Sequence, residues 1–375
     1  MGNREIEVSI LCITYNQKKY IAKALDSMLS QITDFEYEII IHDDGSTDGT
    51  IEIIKDYKEK NPEEICLLIE EDNRYSKGED FVIPTIREYA RGKYIALCEG
   101  DDYWTDSFKL QKQRDALEKH QVCDMCACWG STVTEDGTRE ISQIRPLQQD
   151  GILDIREVIL GGGQYLVTAG LFFKKDMLEN LYGLDSLDYS LQIRGALRGG
   201  IYYLDQKMAV YRRYADGSWT NHVLKKDAKL EVQWDKERNL LKSFDEQTDY
   251  QYHEIIEERL KAYTSFEIQL NAHSEEIQRI MQQADAPVYI WGMGRRGVAL
   301  EAYCKRCGYQ IDGICDAIDE QIGECTQRQT LIVKTADVLK NAKTILASNR
   351  FAYQDIAKTD YKGQVYDFQE FMPRG

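Results

Sequence analysis

The stretch Glu36-Tyr37-Glu38-Ile39-Ile40-Ile41-His42-Asp43-Asp44-Gly45-Ser46-Thr47-Asp48-Gly49-Thr50 passes from an apolar, β-branched run to two adjacent carboxylates and then to helix-starting residues. Tyr37 to Ile41 predicts a buried strand. Ser46 and Thr47 are candidate N-caps of a helix starting near Asp48. In an open α/β sheet, ligands bind in the crevice beyond the carboxyl ends of the strands, where Asp43 and Asp44 would lie. The same residues also suit a plain turn in which Asp and Ser satisfy free backbone N–H groups. A second acidic turn, Glu99-Gly100-Asp101-Asp102, follows the apolar run Lys93 to Cys98 and favours the ligand reading.

Outward from these turns the pattern repeats. Val8 to Tyr15 reads as a strand ended by Asn16, and Tyr20 to Ser30 carries a helical stripe at Ile21, Ala24, Leu25, Met28 and Leu29. Ile65 to Ile69 is a third strand, and Glu79 to Tyr89 a helix despite Pro84. The order β-α-β-α-β-α-β predicts a mostly parallel sheet covered on both faces. Further on, Asp106 to His120 reads as a helix, Asp124 to Trp129 as a strand and Asp136-Gly137 as a hairpin turn. Leu153 to Leu160 suggests a short helix, Leu166 to Phe173 a buried strand, Tyr189 to Leu197 a helix and Ile201 to Leu204 a strand. From Val223 to Asp285 the chain is highly charged and lacks proline and glycine, which predicts solvent-facing helices, including Tyr252 to Leu260 and Ser265 to Gln282. After Pro287, the strand Val288 to Trp291 opens into Gly292-x-Gly294-x-x-Gly297, and Asp316 follows a further strand, Ile311 to Cys315. That context fits a dinucleotide fingerprint in half a Rossmann sheet, and equally a structural use of the glycines for a tight turn and close helix packing. The expected organisation is therefore an α/β domain over residues 1–222, a charged helical connector over 223–285 and a small Rossmann-like α/β domain over 286–375.

Composition narrows the function. The 375 residues carry a net charge of −17, with 43% hydrophobic and 30% charged residues. This is an ordinary globular balance, too acidic for a general nucleic-acid binder. No apolar run approaches the roughly 20 residues of a membrane span. The N-terminus lacks a signal-peptide core, so a cytoplasmic protein is expected. Ten cysteines are spread along the chain, mostly in or beside apolar runs, as reduced buried thiols would be. Cys123-x-x-Cys126-x-Cys128 and Cys304-x-x-Cys307 lack matching second halves, which argues against zinc.

Acidic turns at neighbouring strand ends suit a phosphorylated ligand. A hard divalent cation on a few carboxylates can hold two phosphates and stabilise a diphosphate leaving group as a Lewis acid. The five histidines form no competing metal-ligand spacing.

These residues together resemble the family 2 glycosyltransferases of the GT-A fold. The likeness rests on Val8 to Asn16, Asp43 to Asp48, Ala90 to Tyr94 leading into Glu99 to Trp104, and Leu187-Asp188 followed by Gly200 to Asp205. It covers roughly residues 6 to 222. The resemblance implies a nucleotide-sugar donor, expected to be UDP-linked, and a divalent metal, Mn2+ or Mg2+. It also implies inversion by direct displacement onto a saccharide or lipid-linked acceptor in bacterial polysaccharide or glycoconjugate assembly. It places Thr14, Tyr15, Asn16, Asp43, Asp44, Glu99, Gly100 and Asp102 around the donor, Asp101 on the metal and Asp188 as catalytic base. Glu99 departs from the family's Asp-x-Asp motif, and its longer side chain can reach the ribose or a metal-bound water instead. Asp185 is a second carboxylate near the expected base. A helix N-terminus at Asp188 would favour the ionised form. The C-terminal segment resembles Rossmann-like modules attached to some bacterial sugar-modifying enzymes, with Gly292, Gly294, Gly297 and Asp316 as its nucleotide-site candidates. Peripheral contact with the inner face of the membrane and a homo-oligomer are left open by the sequence. The rival readings are a nicotinamide-dependent oxidoreductase built on the glycine fingerprint, and a nucleotide-sensing module with a degenerate transferase domain.

Overall fold

The computed structural model describes residues 5–180, 187–213, 227–261, 266–316, 322–323, 325–326 and 328–372. The chain divides into two compact units, Met1–Glu257 and Glu258–Gly375.

In the first unit, β1 (Ile6–Thr14), β2 (Glu36–Asp43), β3 (Ile65–Ile69) and β4 (Tyr94–Leu97) lie parallel in the order β3-β2-β1-β4. Connecting helices are α1 (Ile21–Leu29), α2 (Thr50–Lys60) and α3 (Val82–Tyr89). The helical stripe read from the sequence buries Ile21, Ala24, Leu25 and Met28 of α1 against the sheet core of Ile10, Cys12, Ile39 and Ile41. Each such aliphatic side chain contributes roughly 1.5–3 kcal/mol on full burial. Pro84 stands in the first turn of α3, where its missing N–H would have had no intrahelical partner.

The sheet continues beyond β4 with mixed polarity. The further strands are β5 (Tyr103–Trp104), β6 (Met125–Val133), β7 (Glu140–Ile144), β8 (Gly151–Leu153), β9 (Leu171–Lys174) and β10 (Ile201–Arg212). Strand β9 runs antiparallel between β4 and β6, β10 parallel to β6, and β5 antiparallel to β10. Among the described residues this makes one ten-stranded sheet. Helices α4 (Lys109–Lys119), α5 (Ile155–Gly161) and α6 (Leu187–Ala196) pack around it, α5 starting with an Asp154/Glu157 capping box.

Several local expectations are corrected. The Ser46 hydroxyl donates to Asp43 rather than capping a helix, and α2 begins only at Thr50, after Gly49. Leu166 to Phe173 is not one strand. Thr168–Gly170 forms a 3-10 turn, because Trp104 Nε1 and Gln113 Nε2 take the Ala169 and Gly170 carbonyls that a strand ladder would use. Strand β10 extends to Arg212 rather than ending at Leu204, register shifts between Leu204 and Ala209 absorbing its polar middle. The charged segment forms α7 (Asp227–Gln247), α8 (His253–Lys261), α9 (Phe266–Ala272) and α10 (Ser274–Gln283). The long helix expected over Ser265 to Gln282 is broken at His273, whose N–H turns back to Leu270.

The second unit holds a four-stranded parallel sheet of β11 (Val288–Trp291), β12 (Gly313–Cys315), β13 (Thr344–Ala347) and β14 (Gln364–Asp367), in the order β12-β11-β13-β14. Its helices are α11 (Arg295–Arg306), α12 (Thr335–Asn341) and α13 (Arg350–Ala357). A separate core gathers Trp291, Cys315, Val338, Ile345 and Ile356.

The glycine fingerprint sits at the β11–α11 junction. Gly292 has φ +106°, and a Cβ there would meet Ser348 Oγ at 2.4 Å. A Cβ on Gly297 would stand 1.7 Å from the Gly292 carbonyl oxygen, whereas one on Gly294 would meet nothing within 4 Å. Packing alone thus requires two of the three glycines. Gly297→Ala is expected to destabilise this unit by about 2 kcal/mol or more, as overpacking against backbone does, and Gly294→Ala by far less. Hydrogen-exchange protection of the β11 and β13 amides checks the contrast. Asp316 Oδ2 accepts from the Met293 N–H at 2.8 Å, so this carboxylate already serves the turn.

Candidate active site

Strand β1 connects to β2 on one side of the sheet, and the chain returns to β4 on its other side. This reversal opens a crevice at the carboxyl ends of β1 and β4. The loops there are laced to one another: Asp44 N–H donates to the Thr14 carbonyl, and Gly100 N–H to that of Ile13. Gly100 has no room for a side chain, since a Cβ would stand 2.4 Å from Gln17 Oε1 and 2.8 Å from Thr14 Oγ1. Both of those buried oxygens lack a hydrogen-bond partner among the described residues.

On the β2 side, Asp43 is fully buried and accepts from the Ser46 N–H (2.8 Å) and hydroxyl (2.6 Å). Asp44 accepts from the N–H groups of Arg74 (2.7 Å) and Tyr75 (3.1 Å), fixing the segment after β3 beside the cleft. Asn16 adopts φ +51°, a left-handed conformation that Asn tolerates. Its backbone N–H donates to Ser46 Oγ, and its Oδ1 accepts from the Thr47 N–H. Tyr15 is half-buried next to it.

On the β4 side the carboxylates crowd together. Burial first, and the charges of Asp188 and Asp101 next, push the Glu99 carboxyl well above the usual carboxylate range. Asp101 is pushed up to about 6 by burial, against the opposing pull of its own backbone N–H, the Arg212 charge and the Gln17 side chain. Burial, Asp101 and Glu99 raise Asp102, whose Oδ1 accepts from the Arg212 N–H at 2.9 Å while Oδ2 has no hydrogen-bond partner among the described residues. Carboxylates so arranged repel one another and would gain from a cation.

Asp188 reaches this cluster from the first turn of α6, close enough for its charge to act on Glu99. It is half-buried, and Thr168 Oγ1 donates to its Oδ2 at 3.0 Å. Burial raises its carboxyl in spite of that hydrogen bond. The expectation that the helix terminus would hold it ionised omitted this desolvation. Asp185, its rival, lies outside the described residues.

Arg212 was not singled out by the sequence reading. Nε donates to the Asp101 carbonyl (2.9 Å) and Nη1 to that of Glu135 (2.6 Å). The guanidinium lies 4.8 Å from the Tyr20 ring centroid and 5.5 Å from that of Tyr103. The available signal was a need for charge balance, since an acidic turn this deep requires a nearby cation.

Residues 9–217 match the model of Glycosyl transferase family 2. The chain belongs to this family. An uncharacterised protein of Mycobacterium tuberculosis is 36% identical over 217 residues, 56% of this chain and 60% of that protein. The chain therefore spans about 60% of the length of such relatives. The Escherichia coli UDP-Glc:alpha-D-GlcNAc-diphosphoundecaprenol beta-1,3-glucosyltransferase WfaP is 39% identical over 115 residues, 31% of this chain and 43% of its own. Among solved structures, S. aureus TarS 1-349 in complex with UDP aligns with a TM-score of 0.51 at 19% identity, covering 74% of this chain and 78% of that one. That likeness shows the GT-A fold of the family 2 unit. Among the described residues, no helix is long and apolar enough to cross a membrane.

Proposed function

We propose that this family 2 member transfers a sugar, with inversion, from a UDP-linked donor to a saccharide or lipid-linked acceptor in polysaccharide or glycoconjugate assembly. The observation that carries the reading is the convergence of Asp188 on Glu99 at the β1/β4 crevice, beside Asp101. The UDP-Glc donor and lipid-diphosphate acceptor in the name of WfaP support the choice of substrates.

In this reading Tyr15 and Asp44 flank the nucleoside, with Thr14, Asn16 and Asp43 shaping the floor. Gly100, with no room for a side chain, lets the acidic turn pack closely against the Thr14 and Gln17 oxygens. Glu99 serves the ribose or a bound water, and Asp102 backs the turn. Asp188 takes the proton of the attacking acceptor hydroxyl.

A divalent cation fits the donor chemistry of the turn, which offers crowded carboxylates and an unpartnered Asp102 oxygen. Asp101 would hold it. When bound it would neutralise charge developing on the diphosphate. Among the described residues no three His, Cys, Asp or Glu side chains are grouped to hold a metal by themselves. One carboxylate completed by phosphate oxygens and water is a set that magnesium-type ions accept. The cation and nucleotide should consequently bind together. In a thermal-shift panel, Mn2+ alone should leave the melting temperature nearly unchanged. UDP with Mn2+ should raise it by several degrees, since saturation at 100 times Kd adds about 2.7 kcal/mol. No shift with any nucleoside diphosphate in the presence of metal would count against the donor site. A change in nicotinamide absorbance without nucleotide release would select the oxidoreductase reading.

A further inference from the structure

We propose that Thr168 is a positioning residue for Asp188, and that Trp104 and Gln113 fix the turn from which it acts. The inference rests on the reading of Asp188 as base. The Thr168 hydroxyl engages Asp188 Oδ2 at 3.0 Å, leaving Oδ1 to receive a proton. Without this donor, the carboxylate could rotate about its side-chain torsions, and positional errors near 1 Å cost about 100-fold in rate.

The turn carrying Thr168 is itself unusually constrained. Trp104, two residues beyond Asp102, donates its indole N–H to the Ala169 carbonyl at 2.8 Å and its backbone N–H to Ser27 Oγ at 3.0 Å. Gln113 Nε2 donates to the Gly170 carbonyl at 2.8 Å. Its Oε1 accepts at 2.7 Å from Lys109 Nζ, which lies 4.2 Å from the Trp104 ring centroid. Lys109 and Gln113 are both 0% exposed. An amine and an amide at such depth cost stability unless paired, and here the pairing converges on the backbone of one short turn. The acidic turn and the base are thereby joined by a continuous path of bonded residues, Asp102 to Trp104 to Ala169 to Thr168 to Asp188. That path would set the separation between the donor diphosphate and the group that deprotonates the acceptor.

The test uses the intact chain with Mn2+ and UDP-glucose, following UDP release, and calorimetry for UDP affinity. Thr168→Val keeps the branched shape and removes the hydroxyl, whereas Thr168→Ser keeps the hydroxyl. Thr168→Val should lower kcat by about 10- to 100-fold with donor KM and UDP affinity unchanged, and Thr168→Ser should restore most of it. In an Asp188→Asn background, Thr168→Val should cause no further loss. Trp104→Phe keeps the ring and loses its N–H, and should also lower kcat without raising donor KM. Normal turnover in Thr168→Val beside an inactive Asp188→Asn overturns this inference alone, as does a Ser variant impaired like Val. Normal turnover in Asp188→Asn overturns the base reading and this inference together.

Discussion

Asp188→Asn is expected to cut turnover by about 100-fold or more, the scale of general base catalysis, with UDP affinity nearly unchanged. Displacement at the anomeric carbon brings the acceptor hydroxyl in from the face opposite the leaving diphosphate. The base must then come from outside the turn that holds the phosphates. Asp188 meets that requirement because α6, a separate element, carries it to the cleft from a later part of the chain. The substitution preserves size and the Thr168 hydrogen bond's acceptor oxygen while removing the ability to take a proton. The pH dependence supplies an independent check. Burial raises the Asp188 carboxyl above its usual value near 4, so kcat should fall as the pH drops through that raised value and the base becomes protonated. The residual activity of Asp188→Asn should lack this acid limb. Steady-state kinetics across pH, with calorimetric UDP titrations, would expose a wrong assignment as near-normal turnover in the variant.

Asp101→Ala is expected to abolish metal-dependent UDP binding while leaving the fold intact. Asp101 is buried, and its charge helps to raise its neighbours Glu99 and Asp102, a mutual repulsion that a cation bound with the diphosphate would offset. Removing one of these carboxylates lessens the repulsion, and the melting temperature should hold or rise. In the proposed site Asp101 would make the metal contact, which alanine cannot replace. A loss of at least about 100-fold in UDP affinity with Mn2+ corresponds to about 2.7 kcal/mol, a reasonable value for one charge-assisted ligand. Isothermal titration with and without Mn2+ measures it. Equal affinity and equal metal dependence in both proteins would remove Asp101 from the metal site.

The sequence made some of this legible because short-range patterns were enough. The alternating strands and helices up to Cys98 follow from local periodicity, and the two acidic turns lie at the strand ends that this order predicts. What stayed hidden depends on long-range pairing. Arg212 looks like an ordinary strand-end arginine until the topology sets β10 beside β5 and brings its guanidinium to the Asp101 carbonyl. Thr168 sits in an apolar run that reads as a strand, and only the Trp104 and Gln113 side chains, distant in sequence, turn it into a 3-10 turn. The raised carboxyls of Glu99 and Asp188 reflect burial, with the charges of Asp188 and Asp101 added at Glu99, and a motif contains neither. In the C-terminal unit the fingerprint was visible, but that Gly292 and Gly297 are demanded by backbone contacts emerged only from their surroundings.

The central claim is inverting transfer from a UDP-sugar, and proton NMR of the anomeric region during turnover tests it most directly. With α-linked UDP-glucose or UDP-N-acetylglucosamine, Mn2+ and the intact chain, loss of the donor signal should be matched one-to-one by free UDP. The first sugar product, on water or on an added saccharide, should be the β-anomer, appearing before any mutarotation. Formation of the α-anomer first, or loss of the donor signal without stoichiometric UDP, would contradict the account.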